Sequence, residues 1–269
     1  MTPSPLRAAS ALTLESLGDA VRRRVAFVIL ALGILSLFFV DSCTSCSPTL
    51  ESNGRSVEAA ELAGVTGMIL IVSLGLWIQV LAGVLAADHL AEPVSDGSAH
   101  LVLARPVSRA VFALTRLAGA LLLALGAGAL LMSASGGLLA ARQGLPPAPL
   151  LAAFGACAAG AVAVSAASMA LSLWLPRTAT ALLVFGAVWG IAWLEILGRF
   201  GAELSGGLAA IRDFGPPLAI GMVWSLSGWV EGLPEPPGAE PVAWALRAAV
   251  WAALTLTGLV VGFRRLELR

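Results

Sequence analysis

Two charged residues, Glu195 and Arg247, lie inside otherwise apolar stretches of this 269-residue chain. Glu195 follows Ala179, the first residue of one stretch, by 16 residues, and Arg247 precedes Phe263, the last residue of another, by 16. At about 1.5 Å per residue both lie roughly 24 Å from the same side of a membrane, so the spacing predicts an ion pair. A buried pair could act as a gate or as a packing clamp. The alternative is that each side chain extends outward to the membrane interface.

The other reactive residue types give little support for catalysis. All sixteen basic residues are arginine, so the chain cannot form a Walker A phosphate loop or a lysine Schiff base. Both histidines, His89 and His100, fall in one polar segment, and the serines of the apolar stretches have no histidine at their depth. We therefore expect no enzyme activity and no cofactor in this chain, and we expect any ATP hydrolysis to occur in a partner.

The cysteines offer a third kind of chemistry. Cys43 and Cys46 follow the first apolar run and are separated by two residues. They could form a local disulfide in an oxidising compartment, or remain idle thiols. Two thiols without a nearby histidine make an incomplete metal site, so we expect no metal. Cys157 lies in the middle of an apolar run, which favours a packing role.

The elements that hold these residues are expected to be membrane-spanning helices. The chain is 58% hydrophobic and only 12% charged, with a net charge of zero and a mean hydropathy of +0.91. This composition excludes a soluble globular domain, a disordered chain and a basic nucleic-acid-binding protein. It predicts an all-α polytopic membrane protein with six spans. The spans cover residues 25–40, 63–87, 111–141, 149–175, 179–197 and 242–263.

Two further segments carry apolar residues but are not predicted to span the membrane. Residues 218–230 form a run of 13, which is too short to span, and so predict a re-entrant or interfacial helix within the connection 198–241. Residues 1–24 carry Leu14, Leu17 and Val21 at helical spacing, which predicts an amphipathic helix lying in the membrane interface. A cleaved signal peptide is the alternative for the start of the chain, but the polar leader is long for one.

The distribution of arginine predicts the orientation. Six spans place both termini on one side, and eleven of the sixteen arginines then fall on that side against five on the other. The positive-inside rule therefore predicts cytoplasmic termini and a cytoplasmic tail over residues 264–269. The exclusive use of arginine indicates GC-rich coding, and so a bacterial inner membrane. No internal repeat is apparent, which argues against an inverted-repeat transporter.

The connection between the second and third spans, residues 88–109, concentrates charge and turn residues and is called the elbow below. Pro93 is not expected inside a helix, although it would suit a first turn. Ser108 is placed to cap the helix that becomes span three. The elbow is either a solvated hairpin loop or a docking surface for a cytosolic partner.

The residues of the elbow carry a resemblance. Asp96-Gly97-Ser98, Pro106-Val107-Ser108-Arg109 and Arg116 resemble the acidic residue with Gly-Thr, the Pro-Val-Ser-Arg element and the following basic residue of ABC-2 type ABC transporter permeases. The ending Phe263-Arg264-Arg265-Leu266-Glu267 is similar as well. Within that family the chain looks most like the single-chain bacterial permeases that include the one serving nitrous-oxide reductase maturation.

The resemblance implies a six-span ABC-2 transmembrane domain over residues 25–263 that exports a substrate. It implies a homodimer, or a heterodimer with a similar permease, in which each copy binds a separate ATPase subunit. The composition already argues against nucleic acid as a partner. The elbow would be the ATPase contact. Its expected coupling residues are Glu92, Asp96, Gly97, Arg105, Pro106 and Arg109.

Three questions stay open at this point. Gly186 and Gly190 form a GxxxG pair that could pack at a dimer seam, or could match by chance in a chain so rich in glycine. The alternative function is a membrane anchor that does not transport, but transmits force from a cytosolic ATPase to a periplasmic partner. The cargo is not identified, although the apolar spans favour an apolar or amphipathic one.

Overall fold

The computed structural model describes residues 5–20, 31, 33–35, 38, 42, 51–52, 55–56, 59–95, 97, 108–199, 203–230 and 240–265. The predicted first span, 25–40, lies largely outside the described residues. Cys43, Cys46 and residues 266–269 of the predicted tail lie outside them as well.

The described chain is almost entirely helical. Its only described strands are the two-residue pair β1 (Glu51–Ser52) and β2 (Arg55–Ser56), which is antiparallel with Glu51 opposite Ser56. A 3-10 turn covers Ser227–Trp229. The helices are α1 (Pro5–Ala20), α2 (Ala59–Ser95), α3 (Arg109–Gln143), α4 (Ala148–Leu171), α5 (Arg177–Arg199), α6 (Gly206–Phe214), α7 (Ile220–Ser225) and α8 (Glu240–Arg265).

Five described helices, α2 to α5 and α8, are long and apolar enough to cross a membrane. The shortest of these apolar segments has 22 residues, which at about 1.5 Å each covers the hydrocarbon core of roughly 30 Å. This architecture is consistent with a multi-pass membrane protein. Five of the six predicted spans therefore correspond to helices of the structure.

The helices differ from the predicted runs mainly at the ends. α2 continues eight residues past Ala87, so the expectation that Pro93 lies outside a helix is wrong. Pro93 cannot donate to the carbonyl of His89, but only two residues of α2 follow it, so little of the helix lies beyond the disturbance. At the same end of the bundle, α4 stops at Leu171 and a turn replaces the predicted helix over residues 172–175.

Contacts at the helix ends show that the five long helices alternate in direction. We call one end of the bundle the elbow end, because Asp88 near the end of α2 meets Arg177 at the start of α5 there. We call the other end the clamp end, because Glu195 near the end of α5 meets Arg247 near the start of α8 there. At the clamp end the indole Nε1 of Trp229 also donates to the carbonyl of Pro146, between α3 and α4.

Helix α2 forms the centre of the bundle. Two thirds (67%) of its most apolar window is buried, compared with 22% for α5 and for α8. It runs parallel to α4 at close range: Ser168 Oγ donates to the Gly83 carbonyl at 2.7 Å, and Cys157 Sγ to the Gly75 carbonyl at 3.4 Å. Small residues allow this approach, which supplies the dispersion contacts that hold apolar helices together in lipid.

Three smaller helices complete the described fold. α1 packs against α3 and touches α2. α6 contacts α5, and α7 packs against α4, α2 and α8. α7 and the turn after it bury Met222, Leu226 and Trp229 in the main apolar core. The predicted apolar run 218–230 is thus a short helix followed by a 3-10 turn, both seated inside the clamp end.

Candidate functional site

A non-helical segment, called the break below, separates α6 from α7 at the clamp end. Gly215, Pro216 and Pro217 separate the end of α6 at Phe214 from Ile220, where α7 begins. A proline has no N–H to donate and ends a helical ladder. The break therefore exposes carbonyls at the end of α6 and N–H groups at the start of α7, and inside a membrane such groups need partners from the protein.

Glu195 of α5 supplies the acceptor for the N–H groups. Its Oε2 accepts three backbone hydrogen bonds, from Leu218 at 3.1 Å, Ala219 at 2.7 Å and Ile220 at 3.1 Å. Its Oε1 lies 2.5 Å from Nη2 of Arg247. Both carboxylate oxygens are therefore occupied. The negative charge also faces the first N–H groups of α7, which carry partial positive charge.

Arg247 of α8 supplies the donors for the carbonyls. Its Nη1 donates to the carbonyls of Arg212 and Asp213, both at 3.1 Å. Four residues further along the same face of α8, Trp251 Nε1 donates to the carbonyl of Phe214 at 2.7 Å. The last carbonyls of α6 therefore receive donors from two side chains of α8.

A third spanning helix reaches the same break. Gln79 lies in the middle of α2 and is fully buried. Its Nε2 donates to the carbonyl of Leu218 at 2.9 Å. The peptide groups of Leu218 are consequently held from two sides, by α5 through the N–H and by α2 through the carbonyl. Gly160 of α4 makes room for this side chain, because a Cβ there would come within 2.9 Å of the Gln79 amide.

We call Gln79, Glu195, Arg247 and Trp251 the polar clamp. The structure brings Glu195 and Arg247 together, and only 2% of the Glu195 side chain is exposed. Neither residue extends outward in the way that the interfacial alternative requires. The saturation of both carboxylate oxygens favours the packing clamp over the gate. Among the described residues no group of three or more His, Cys, Asp and Glu could hold a metal ion.

A second charge pair lies beside the clamp, on α6. Arg212 and Asp213 form two hydrogen bonds, Nε to Oδ1 at 2.7 Å and Nη2 to Oδ2 at 3.1 Å. The hydrogen bond from Arg212 holds the pKa of Asp213 below its ordinary value. Both side chains are partly exposed, so this pair stabilises the fold little. It places two charged side chains at the solvent-accessible surface of the clamp end.

The elbow end holds the described part of the predicted coupling site. Glu92 lies near the end of α2 and is exposed. Gly97 has a φ of +77°, a left-handed conformation that favours glycine. Arg109, the first residue of α3, donates through Nη1 to the carbonyl of Arg264 in α8 at 3.3 Å. Asp96, Arg105 and Pro106 lie outside the described residues.

The start of α3 agrees with the start predicted from the sequence. Ser108 is the N-cap, with Oγ accepting from the N–H of Val111 at 3.3 Å, so the predicted cap is confirmed. Arg116, the basic residue of the resemblance, is buried two turns later. Its guanidinium lies 5.5 Å from the centre of the Phe112 ring, at the distance of a cation–π contact.

An ion pair between Asp88 and Arg177 was not anticipated. Arg177 Nη2 lies 2.5 Å from Asp88 Oδ2, joining the last part of α2 to the first residue of α5. The sequence contained the signal, because Asp88 ends one predicted span and Arg177 precedes another at the same face of the membrane. Gln79 was missed for a similar reason: it is the only amide in the run 63–87, and a lone polar residue at such a depth marks a site.

Gly186 and Gly190 lie together on the exposed face of α5. A Cβ at either position would meet no atom of the described residues within 4 Å. The GxxxG pair therefore packs against no other described part of the chain, and its predicted use between two copies stays a prediction. Cys157 is buried against α2, as expected of a packing residue.

Comparison with known proteins gives no independent identification. No protein-family model matches the chain, and no curated protein matches it.

Proposed function

We propose that this protein is the transmembrane subunit of an ABC-2 type exporter in the bacterial inner membrane, working with a separate ATPase subunit. The observation that carries the proposal is that the described parts of the elbow, residues 88–95 and 108–109, lie at one end of the bundle. The residues of the ABC-2 resemblance lie between and beside these parts in the sequence. In this arrangement two copies of the permease bind two ATPase subunits, both termini are cytoplasmic, and residues 25–40 provide a sixth span.

The packing of α2 supports a coupling role for the elbow. α2 is the most buried of the five long helices, so a force applied to its end acts on the centre of the bundle rather than on its rim. Glu92 sits exposed on that end, where a partner can reach it.

Two contacts connect the elbow to the rest of the elbow end. Asp88 holds Arg177 at the start of α5, and Arg109 reaches the carbonyl of Arg264 near the end of α8. Movement of the elbow would therefore be shared with α5 and α8. These are the same two helices that the polar clamp joins at the opposite end, so displacement of the elbow would tilt them as a connected pair.

The experiment is a pull-down of tagged protein from native membranes. Wild type is compared with the double variant Asp96→Arg/Arg105→Glu and with the control Arg142→Glu, which changes an arginine at the other end of α3. We expect an ATPase subunit to accompany wild type and the control, and to be lost from the double variant although that variant still inserts. Absence of an ATPase from wild type in several mild detergents, or equal recovery with the double variant, would contradict the proposal.

A further inference from the structure

A cleft opens at the clamp end between α5 and α8. It encloses about 580 Å³, within the range of roughly 300–1,000 Å³ usual for small-molecule sites. Glu195 and Gly198 of α5 line one side, Trp244 and Arg247 of α8 line the other, and Trp224 of α7 forms part of the floor. Since α5 and α8 are the least buried long helices, the cleft lies between the two helices with the most outward-facing surface.

The acceptors and the donors that line the cleft differ in whether they already have hydrogen-bond partners. Every carboxylate oxygen of Glu195 and Asp213 already accepts a hydrogen bond. Two donors of α8, Trp244 Nε1 and Arg247 Nε, have no partner among the described residues. They are three residues apart and so share one face of the helix. Both atoms are shielded from solvent, and a Cβ on Gly221 would lie 2.4 Å from Trp244 Nε1, so neither atom is open to a ligand in the cleft. Hydrogen bonds to a ligand must therefore come from other N–H groups.

The guanidinium groups of Arg212 and Arg247 add reachable donors. Their side chains are 32% and 24% exposed, and both residues line the cleft. Arginine presents a planar fork of N–H groups that matches phosphate oxygens. Because Glu195 and Asp213 balance the two charges, the lining is neutral and suits a phosphodiester with one charge better than a free phosphate with two.

The remaining walls and the surroundings of the cleft are apolar. Ile220 and Trp224 lie inside it. Next to lining residues in the sequence, Leu197 of α5 and Val242 and Leu246 of α8 are exposed on the outer surface. An apolar path therefore leads from the cleft along two helices that are long enough to span the bilayer.

We propose that the cleft binds one phospholipid from the surrounding bilayer. The phosphodiester and ester oxygens, which accept hydrogen bonds without donating them, lie against the guanidinium groups of Arg212 and Arg247. The acyl chains follow the exposed faces of α5 and α8. Binding of this kind needs no ATPase partner, so the proposal stands or falls independently of the transporter function.

The test is photocrosslinking of the full-length protein in nanodiscs of phosphatidylethanolamine and phosphatidylglycerol. Trp224→p-benzoylphenylalanine places the photoreactive group in the cleft. The control Leu151→p-benzoylphenylalanine places it on the outer surface of α4 at the same end, where the side chain is 80% exposed. After a detergent wash and irradiation, we expect mass spectrometry to find a phospholipid adduct at position 224 and little at 151. Equal adducts at both positions would mean ordinary surrounding lipid and would overturn the proposal.

Two further variants test the chemistry of the site. Arg212→Gln removes a guanidinium that pairs only with exposed Asp213 among the described residues. Trp244→Phe is the matched control, because it keeps the aromatic ring and removes an N–H that is shielded from the cleft. We expect Arg212→Gln to lower the adduct about fivefold, which corresponds to the loss of one hydrogen bond, and Trp244→Phe to leave it nearly unchanged. An unchanged adduct in Arg212→Gln with wild-type thermal stability would overturn the proposal. So would displacement of the lipid by inorganic phosphate, which would indicate a site for the free anion.

Discussion

The two ends of the bundle each contain an ion pair of 2.5 Å that joins α5 to another long helix, yet the pairs differ in burial. At the clamp end the side chains of Glu195 and Arg247 are 2% and 24% exposed. At the elbow end those of Asp88 and Arg177 are 10% and 72% exposed. Equal distances therefore conceal different energetics, because solvent screens the second pair and hardly reaches the first.

The partners beyond each pair explain the difference further. Glu195 and Arg247 together bond three N–H groups and two carbonyls at the break between α6 and α7. The two charged side chains therefore satisfy backbone groups at the break. Removing either side chain leaves several of those N–H or carbonyl groups without a hydrogen-bond partner. Asp88 and Arg177 join two helix ends beside the elbow, and the Arg177 side chain lies mostly in solvent. We therefore expect the ion pair of the clamp end to stabilise the fold more than the ion pair of the elbow end.

The largest effect is expected from Glu195→Ala. The substitution leaves Arg247 without its carboxylate and three N–H groups without an acceptor, and breaking a buried pair in this way costs about 3–5 kcal/mol. Thermal unfolding in detergent should show a large loss of stability. The control is Glu203→Ala, which removes an exposed carboxylate outside the long helices. Equal unfolding temperatures for the two variants would break the comparison.

Glu195→Gln separates the clamp from the gate. A gate predicts that this variant assembles normally and fails only in transport. The clamp predicts a loss of stability of about 1–3 kcal/mol, since the amide keeps one acceptor but turns an N–H₂ group toward Arg247 or toward the backbone donors. The measurement is thermal stability alongside transport. Wild-type stability with impaired transport would restore the gate.

A smaller effect is expected from Gln79→Leu. The leucine fills a similar volume but leaves the carbonyl of Leu218 unsatisfied, at a cost of about 1–2 kcal/mol. Ser73→Ala, on the same helix and only partly buried, serves as the control for removing a polar group from α2. If both variants unfold like wild type, α2 does not contribute to the clamp.

At the elbow end, Asp88→Asn should change stability by no more than about 1 kcal/mol, because the partner guanidinium is mostly in solvent. The same membranes used for the pull-down allow ATPase recovery to be measured beside the unfolding temperature. We expect Asp88→Asn to recover less of the ATPase subunit than wild type, with a nearly unchanged unfolding temperature. A loss of stability as large as that of Glu195→Ala would show that the two ends do not differ.

The smallest effect concerns pH. Arg212 holds the pKa of Asp213 below its ordinary value of about 3.9, so the pair is fully formed above that pH and is lost only as pH falls through the lowered pKa. The difference in unfolding temperature between wild type and Asp213→Asn should therefore be constant from about pH 8 to pH 5. A difference that shrinks across this interval would mean that the pKa of Asp213 is raised.

The sequence predicts the features that depend on local pattern or on simple counting. The boundaries of α3, α5 and α8 lie within two residues of the predicted runs, because Ser108, Pro176 and the arginines after Phe263 mark them. Counting residues from the membrane surface was enough to bring Glu195 and Arg247 to the same depth. The helix boundaries and the shared depth of the two charges could both be predicted because each depends only on residue spacing within a single helix.

The features that escaped prediction depend on the backbone of another segment. Gln79 and Trp251 act on Leu218 and Phe214, which are 139 and 37 residues away in the chain. Nothing in the neighbourhood of either side chain indicates where a helix will break elsewhere. Pro93 escaped for the opposite reason: it still removes one hydrogen bond from the last turn of α2, but only two residues of the helix follow it, so little of the helix is disturbed.

The most direct test of the clamp is hydrogen–deuterium exchange at the amides of Leu218, Ala219 and Ile220. These three N–H groups should be protected in wild type and in Asp88→Asn, and should exchange much faster in Glu195→Ala, with an intermediate rate in Glu195→Gln. Amides in the middle of α4 provide the internal reference. Fast exchange of the three amides in wild type, or protection that survives Glu195→Ala, would contradict the account.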